Sequence, residues 1–480
     1  MENITSFEWR AVSSEAALAV FAALTFLLCA ALPARMSKAV SCFAMIGLAA
    51  ALAVEIFSSA PALSFCGMLG GKSTYGVFAL ACALLTSLMA FGYFRKGARG
   101  GNEFLALVMV CAASLMLFVR AENLMLSFVA LESATVCLYI LAAWSRAEAA
   151  SVEASVKYIV VGGVSGAAML LGIAFIYGAS LATGRELLCF SNFSEGLLNP
   201  MFRAGIVLVA GSALFKIAAF PFQFWSPDVY QGAPTPVSAF LAVASKAAGA
   251  VFLGKICLSC DFAAMGLGEI QDKAAFAVSV VAAATIIVGN LGALTQVNAK
   301  RLVAFSGIAN AGYILVLFAA LLKYRGMVGF FEPVLYFYLA AYMFATYGIF
   351  FVVNGFEGMD DASQTFADYR GLTRKNPVLG GSLIVNLASL AGIPPTAGFF
   401  GKLLILIFAW YAQLYWLMAV MIFGSVASIY YYFAWMRASL ETAEGGERKL
   451  DPQPLMYPTI TALAASTIIL GVAVLYRYGL

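Results

Sequence analysis

The chain has 480 residues, of which 63 % are hydrophobic and 11 % charged, with a net charge of +4 and a mean hydropathy of +0.93. A soluble globule of this length needs more polar surface than this composition supplies, so the sequence predicts a membrane protein. The charges are few and dispersed, which argues against a nucleic-acid-binding groove and against a polybasic lipid-binding tail.

The chain has nine cysteines and no histidine. The cysteines are scattered through apolar segments without a CxxC or Cys/His metal spacing, so we expect free, buried thiols. Without histidine, the usual proton shuttle at physiological pH is missing. Acid–base chemistry therefore falls to Lys, Glu, Asp, Tyr and water.

Apolar segments of about 20 residues, the length of a membrane-spanning helix, recur along the whole chain. They are preceded by the sequence MENITSFEWR, which is acidic where a secretory signal is basic, so we expect it to be mature sequence. The fourteen predicted spans are 14–32, 38–58, 74–94, 103–119, 122–143, 156–178, 203–222, 235–257, 274–297, 302–322, 332–354, 377–411, 413–436 and 455–476.

Basic residues near the span ends predict the orientation of the chain. The odd-numbered connections hold fourteen Lys and Arg residues, and the even-numbered connections together with the two ends hold ten. This bias favours both termini on the outer side of the membrane.

Two predicted spans are interrupted by proline near a lysine. The seventh carries Lys216 ahead of Phe220-Pro221, and the twelfth carries Pro394-Pro395 ahead of Lys402. If spans four to eight and nine to thirteen are two five-helix units, both breaks fall in the fourth helix of a unit, and the odd number of crossings inverts the second copy. We therefore predict an all-α polytopic membrane protein of about fourteen transmembrane helices, with a three-helix segment (1–100), two inverted five-helix repeats with broken helices (101–260 and 261–440) and a C-terminal helix (441–480).

Four basic residues are assigned to the predicted spans and not to the connections, namely Lys157, Lys216, Lys246 and Lys402, and Glu132 is the only carboxylate well inside the fifth span. A lysine at membrane depth costs about 2.5–3.5 kcal/mol, so one that persists there is a candidate for transport. Opposite charges about 4 Å apart attract by about 4 kcal/mol at an effective dielectric near 20. Moving a proton against about 150–200 mV needs about 3.5–4.6 kcal/mol, so a Glu132–Lys216 pair would have the strength to switch a proton carrier.

Each of these residues also has a structural interpretation that the sequence leaves open. Glu132 and Lys216 could be a static ion pair between helices, and Lys246 could satisfy carbonyls around the Pro-rich break. Lys402 could extend to the membrane interface, and Lys157 could be a charge at the boundary of its span. The coincidence of a helix break and a lysine, found twice, favours a functional role.

Three segments resemble one known family: FPFQFWSPDVYQGAPTPVSAFLAVASKAAG, QVNAKRLVAFSGIANAGYILV and LASLAGIPPTAGFFGKLLIL. They are similar to the antiporter-like membrane subunits of respiratory complex I, a family that includes the large subunits of multisubunit sodium/proton antiporters. The likeness covers about residues 100–440. Within the family, SPDVYQGAP and Lys402 resemble the N-type subunits of bacterial NADH-quinone oxidoreductase.

The resemblance implies proton translocation along a central polar axis. It assigns Glu132 and Lys216 as the switching pair, Lys246 as a relay and Lys402 as the exit or connecting site. Lys157 also matches a lysine of the family pattern.

The chain departs from the family pattern at Gln223 and Asn310, where that pattern usually has histidine. Neither amide can titrate, so a relay past these positions must use water or the nearby Tyr313. The departure puts a direct histidine step in doubt but not the lysine axis.

No redox cofactor is expected on this chain, because it has no Cys ligand set for an iron–sulfur cluster and no GxGxxG that opens a helix after a strand. The resemblance implies that NADH, FMN, iron–sulfur clusters and quinone are used on other subunits of a bacterial inner-membrane complex. The implied neighbours are an antiporter-like subunit of M type and small membrane subunits.

Two other functions stay open on the sequence. A subunit of a multisubunit cation/proton antiporter would share these motifs, although sodium favours clustered oxygen ligands and interior acids are few here. A purely structural membrane subunit would tolerate replacement of Lys216 or Glu132.

Overall fold

The computed structural model describes most of the chain and consists almost entirely of helices. Its described residues are 11–33, 36–57, 63–65, 67–95, 100–356, 362–442, 450–451 and 453–478. The acidic N-terminal sequence, Cys66 and six of the basic residues used to predict orientation lie outside them, namely Arg10, Arg35, Lys96, Arg99, Arg448 and Lys449.

The described residues form nineteen α-helices, compared with fourteen predicted spans, because two of the predicted spans each consist of two helices and three short helices lie between spans. A two-stranded antiparallel hairpin, β1 (Leu63–Ser64) and β2 (Leu69–Gly70), lies between the second and third helices. The helices are α1 (Ser13–Ala31), α2 (Ser37–Phe57), α3 (Thr74–Arg95), α4 (Gly101–Arg120), α5 (Leu124–Ala142), α6 (Ala149–Thr183), α7 (Phe193–Gly196), α8 (Pro200–Lys216), α9 (Trp225–Gly232), α10 (Thr235–Phe240), α11 (Lys246–Ser259), α12 (Gly268–Leu294), α13 (Ala299–Lys323), α14 (Val328–Asn354), α15 (Leu372–Lys375), α16 (Pro377–Ala391), α17 (Ala397–Tyr411), α18 (Tyr415–Leu440) and α19 (Met456–Tyr478).

Twelve helical segments of the described residues are long and apolar enough to cross a membrane. Each corresponds to one of the predicted spans, with α10 and α11 joined by a π-helical turn into a single span. The predicted seventh span is α8, which has 17 residues, and the predicted twelfth is the pair of shorter apolar helices α16 and α17. The chain is thus a multi-pass, all-α membrane protein.

The first break lies earlier than the sequence predicts. The predicted span 203–222 would carry the helix past Pro221, but α8 ends at Lys216. Ala218 already has a left-handed backbone with φ 58°, and the residue before a proline disfavours helical dihedrals. The Phe220-Pro221 peptide bond is cis. Lys216 is therefore the last residue of a helix rather than an interior one.

The second break confirms the predicted interruption. Helix α16 ends at Ala391, Gly392 adopts φ 85°, and α17 starts at Ala397. Glycine is the residue that reaches this left-handed conformation without steric cost, and it closes the helix in the usual way. The intervening Pro394-Pro395 bond is cis.

The chain divides into two compact units. The first consists of the residues up to Leu141, with Tyr158–Phe215 and Ala247–Leu267. The second consists of Ala142–Lys157, Lys216–Lys246 and Gly268–Leu480. The inverted arrangement of two five-helix repeats stays a prediction.

In the first unit, buried charges tie α1 to the end of α4. The Arg120 guanidinium, 2 % exposed, pairs with the Glu15 carboxylate and donates to the carbonyl oxygens of Ala11 at 2.6 Å and Gly70 at 3.1 Å. A buried guanidinium is tolerated when its donors are satisfied in this way. The N-terminal helix is thereby attached to the rest of its unit.

The same network extends to α2. Ser14 donates to Glu15 at 3.0 Å and to Glu55 at 2.5 Å, and the Glu55 carboxylate lies 3.5 Å from the ammonium of Lys72. Two acids and two bases therefore balance each other within this buried cluster.

The core of the second unit is built around α13. This helix is apolar on every side and 94 % of its span is buried, as expected of a helix surrounded by other helices. Close packing depends on small residues, since a Cβ at Gly289 of α12 would lie 2.5 Å from the backbone nitrogen of Ala309. The few polar side chains of α13 are thus held at defined positions inside the unit.

Candidate functional site

Lys216 closes α8 at the first break. It is 2 % exposed and lies in the last turn of the helix. The final carbonyls of a helix have no intrahelical partner and carry partial negative charge, so a cation there is favoured. On the far side of the break, the Phe220 amide donates to the Thr285 hydroxyl at 3.0 Å, which satisfies one of the freed backbone groups.

Lys246 follows a π-helical turn at Leu241–Ser245. Such turns are uncommon and often occur at functional sites. The Lys246 side chain is 6 % exposed, and its ammonium lies 5.2 Å from the ring centroid of Tyr230. Among the described residues its Nζ has no hydrogen-bond partner.

Lys402 lies in the second turn of α17 and reaches back across the second break. Its ammonium donates to the carbonyl oxygens of Leu390 at 2.8 Å and Ala391 at 3.2 Å, the last residues of α16. It also lies 5.1 Å from the ring centroid of Tyr313. The interrupted helix thus presents its free carbonyls to a buried cation, as half-helices do in transporters. At 7 % exposure, Lys402 does not extend to an interface.

Glu132 is half-buried on α5 and packs against α6. A Cβ at Gly166 would lie 2.5 Å from its Oε1 atom, so glycine is what allows the carboxylate to sit there. Glu132 belongs to the first unit and Lys216 to the second. Their pairing stays a prediction.

Lys157 is placed differently from the other lysines. Its side chain is 42 % exposed and pairs with Asp228 at 2.6 Å and Glu153 at 2.7 Å. Asp228, from the SPDVYQ segment, also pairs with Arg301 at 2.6 Å. Burial raises the pKa of this carboxyl, but hydrogen bonds from Lys157 and Arg301 outweigh burial and lower the pKa below its usual value. Whether Lys157 carries protons stays a prediction.

Asn310 contacts a residue that sequence reasoning missed. The sequence predicts water or Tyr313 as the relay past this amide, and the hydroxyl that reaches Asn310 in the structure belongs to Tyr338, which donates to its Oδ1 at 2.7 Å. Tyr313 instead packs under the Lys402 ammonium. At the other departure from the family pattern, Gln223 is half-buried and its Oε1 has no hydrogen-bond partner among the described residues.

Lys300 is a second residue that sequence reasoning missed. It was counted with the connections, yet it is 0 % exposed and donates to the carbonyl oxygen of Ala233 at 2.6 Å. The sequence feature that could have identified it is its position just after Asn298, which caps α13 by accepting a hydrogen bond from the backbone amide of Arg301. A lysine directly inside a capped helix start belongs to the helix and can be buried with it.

Two lysines of the second unit therefore share an unusual environment. Lys246 and Lys402 are buried, and neither has a carboxylate within ion-pair distance in the part of the chain that the structure describes. Groups of His, Cys, Asp and Glu able to hold a metal ion are also absent from the described residues. Two interrupted spans with a buried lysine beside each break, inside an otherwise apolar bundle, define a membrane subunit of the ion-translocating type.

Comparison with known proteins gives the family. Residues 121–428 match the model of the NADH:quinone oxidoreductase/Mrp antiporter transmembrane family. The chain is 41 % identical, over 82 % of its length and 80 % of the relative's, to NADH-quinone oxidoreductase subunit N 1 of Opitutus terrae. The chain belongs to this family, and two relatives that it matches, from Opitutus terrae and Desulforamulus reducens, are named N subunits of NADH-quinone oxidoreductase.

Solved structures agree with this assignment. A chain of respiratory complex I from Thermus thermophilus with bound aureothin matches with a TM-score of 0.78 and 31 % identity, covering 95 % of this chain and 96 % of that one. A chain of the Mrp complex from Dietzia sp. also matches with a TM-score of 0.78, at 19 % identity and over 96 % and 94 % of the two chains. The second likeness concerns the fold.

Proposed function

We propose that this chain is the N-type proton-translocating membrane subunit of an NADH-quinone oxidoreductase, and that its buried lysines exchange the protons that it moves. The family and the naming of its relatives support the first half of this statement. The second half rests on one observation. Lys246 and Lys402 are buried with neutral partners, so loss of a proton leaves no unpaired carboxylate behind.

The remaining parts of the axis follow from the same chemistry. Lys216 would be charged when Glu132 is close and neutral when it is distant. Lys157 would transfer protons at the exposed end of α6. Two inverted repeats would place the breaks after Lys216 and before Lys402 at corresponding positions. Each of these is part of the proposal.

The proposal also covers assembly. NADH, FMN, iron–sulfur clusters and quinone would act on other subunits, in a complex of the bacterial inner membrane. An antiporter-like M-type subunit and small membrane subunits would be the neighbours. This chain would then convert conformational or electrostatic changes in the neighbouring subunits into proton movement.

The test uses membrane vesicles that contain the intact complex. Lys402→Met keeps the length of the side chain and removes the exchangeable proton, so we expect fewer protons moved per NADH oxidised while the complex still assembles. Lys273→Met is the matched control, because Lys273 is exposed and pairs with Glu269 on the surface of α12. An unchanged proton-to-NADH ratio in Lys402→Met would refute the role given to the lysines.

A cation/proton antiporter subunit is the second candidate, because the Mrp complex shares this fold. Liposomes containing the purified complex separate the two functions. NADH-driven acidification that does not depend on sodium supports the oxidoreductase subunit. Proton movement driven by a sodium gradient without NADH supports the antiporter.

A further inference from the structure

Polar side chains from α13 and α14 line the space between Lys246 and Lys402. Along α14, Tyr338, Tyr342 and Thr346 recur every fourth residue, so they share one face of the helix. All three are buried, at 3 %, 8 % and 0 % exposure. Buried hydroxyls normally have hydrogen-bond partners, so a row of them on an otherwise apolar helix indicates a role other than packing.

On the Lys246 side, the stripe meets a glycine of α13. A Cβ at Gly307 would lie 2.8 Å from the Lys246 Nζ and 2.9 Å from the Tyr342 hydroxyl oxygen, so the two atoms share the space above Gly307 and are at most 5.7 Å apart, the two distances added. Neither atom has a hydrogen-bond partner among the described residues. The missing side chain of Gly307 therefore leaves a path between an ammonium and a hydroxyl.

On the Lys402 side, Tyr342 lines a small cavity together with Lys402, Tyr338 and Asn310. Its volume of about 10 Å³ is close to what one water molecule needs. Most of its wall is apolar, and the polar groups carried by its lining residues are the Lys402 ammonium, two phenol hydroxyls, the Asn310 amide and the Ser389 hydroxyl. One water there would connect Tyr342 to Lys402.

The hydrogen bond from Tyr338 to Asn310 sets the shape of this cavity. At 2.7 Å it fixes the Tyr338 hydroxyl against the amide, and the phenol oxygen keeps lone pairs with which it can accept from a water. The Asn310 amide itself donates to the carbonyl oxygen of Ser306 at 2.8 Å. An amide held in this way positions its neighbours but passes no proton on.

We propose that Tyr342 relays protons between Lys246 and Lys402, across the space above Gly307 on one side and through one water in the cavity on the other. In the transfer, the Lys246 ammonium first moves through the space above Gly307 into hydrogen-bond contact with the Tyr342 oxygen. An N–H bond of the ammonium then breaks as a bond forms to that oxygen, and the phenol proton passes to the water. The water gives one of its own protons to the neutral Lys402 amine. One proton has moved, and the hydroxyl and the water are restored.

Tyr338 and Asn310 are positioning residues in this relay, because they hold the water in place. The relay rests on the proposed function, since it requires both lysines to exchange protons. In this relay, hydroxyls on α14 do the work of the histidine that the family pattern usually has at the position of Asn310.

The first experiment fills the space above Gly307. In Gly307→Ala the added methyl meets the ends of the Lys246 and Tyr342 side chains but no backbone of a neighbouring element, and alanine favours the helix. Gly381→Ala is the matched control, because a Cβ at Gly381 of α16 meets nothing within 4 Å. In vesicles with the intact complex, we expect Gly307→Ala to lose at least about half of the pumping per NADH that Lys402→Met loses, and Gly381→Ala to lose none.

The second experiment removes the hydroxyl and keeps the ring. Tyr342→Phe should show the same loss as Gly307→Ala, with assembly and thermal stability unchanged. Tyr347→Phe is its control, because Tyr347 is buried on the same helix but borders neither the cavity nor Gly307. Tyr338→Phe should pump more slowly and show a larger solvent deuterium isotope effect, which a packing defect would not produce.

The outcomes separate this relay from the function on which it rests. Loss in Lys402→Met, Gly307→Ala and Tyr342→Phe with normal controls supports it. Loss in Lys402→Met with wild-type pumping in Tyr342→Phe overturns the relay and leaves the lysines in place. Normal pumping in Lys402→Met overturns the proposed function itself.

Discussion

Each unit of the chain buries charged side chains, but the partners differ. In the first unit, Arg120 and Lys72 are matched by the carboxylates of Glu15 and Glu55. In the second unit, Lys246 and Lys402 face tyrosine rings and, for Lys402, two carbonyl oxygens.

The difference separates a fixed charge from an exchangeable one. An ammonium or guanidinium beside a carboxylate stays charged, because neutralising it would strand a buried anion. An ammonium beside neutral groups can release its proton at the cost of a hydrogen bond or a ring contact. We therefore infer that the acid-paired Arg120 and Lys72 stabilise the fold, and that the neutral partners of Lys246 and Lys402 suit the proton exchange proposed for them.

The largest effect is expected in the paired cluster. Arg120→Met removes one partner and leaves the Glu15 carboxylate buried and uncompensated, so unfolding should become easier by about 3–5 kcal/mol. Thermal unfolding of the purified complex and the yield of assembled complex measure this loss.

The matched control for this prediction is a double variant. Arg120→Met combined with Glu15→Leu removes both charges, so it should be more stable than Arg120→Met alone, and the cycle of single and double variants gives the coupling. If the double variant were no better than the single one, the cluster would not be held by its charges.

The next largest effect is expected at Lys246, a buried cation of the second unit. Lys246→Met takes away an ammonium that no carboxylate balances, and an apolar chain of similar length fills its space. We expect stability to change by less than about 1.5 kcal/mol, while pumping per NADH falls. Thermal unfolding of the purified complex and protons pumped per NADH measure the two effects. A loss of stability as large as that of Arg120→Met would contradict the distinction between the two units.

A smaller effect is expected at the half-exposed carboxylate of Asp228, whose ion pairs are screened by solvent. Asp228→Asn should cost about 1 kcal/mol or less. The pKa of Asp228 is lower in the folded chain, because hydrogen bonds from Lys157 and Arg301 outweigh burial. Its contribution is therefore present above the usual carboxyl pKa of about 3.9 and is lost as pH falls through the lower folded value. Unfolding curves from neutral to acid pH should converge for wild type and Asp228→Asn at the acid end, and parallel curves would contradict this.

The smallest effect is expected on the surface of α12. Glu269 pairs with Lys273 one turn away, and both are exposed. Glu269→Gln should leave the melting temperature and the pumping ratio indistinguishable from wild type. A clear change in either would mean that this face of α12 contacts another part of the assembled complex.

Much of this architecture follows from local sequence. Runs of apolar residues set the spans, since a helix is how a chain satisfies its backbone in lipid, and Gly392 with Pro394 and Pro395 forces the second break. The spacing of Tyr338, Tyr342 and Thr346 at every fourth residue is also visible in the sequence. Tyrosines in an apolar helix usually belong to the core, however, so this spacing alone does not indicate a functional role.

The sequence by itself determined that the chain crosses a membrane and that two of its spans are interrupted near a proline, because hydrophobic length and proline geometry act over neighbouring residues. Tertiary structure decided where the first interrupted helix ends, which lysines are buried and which of them meets an acid. It placed Lys157 beside Asp228, buried Lys300 against Ala233 and left Lys246 facing Tyr342 across Gly307. Partners come from helices distant in the chain, and the charge a side chain can hold depends on them.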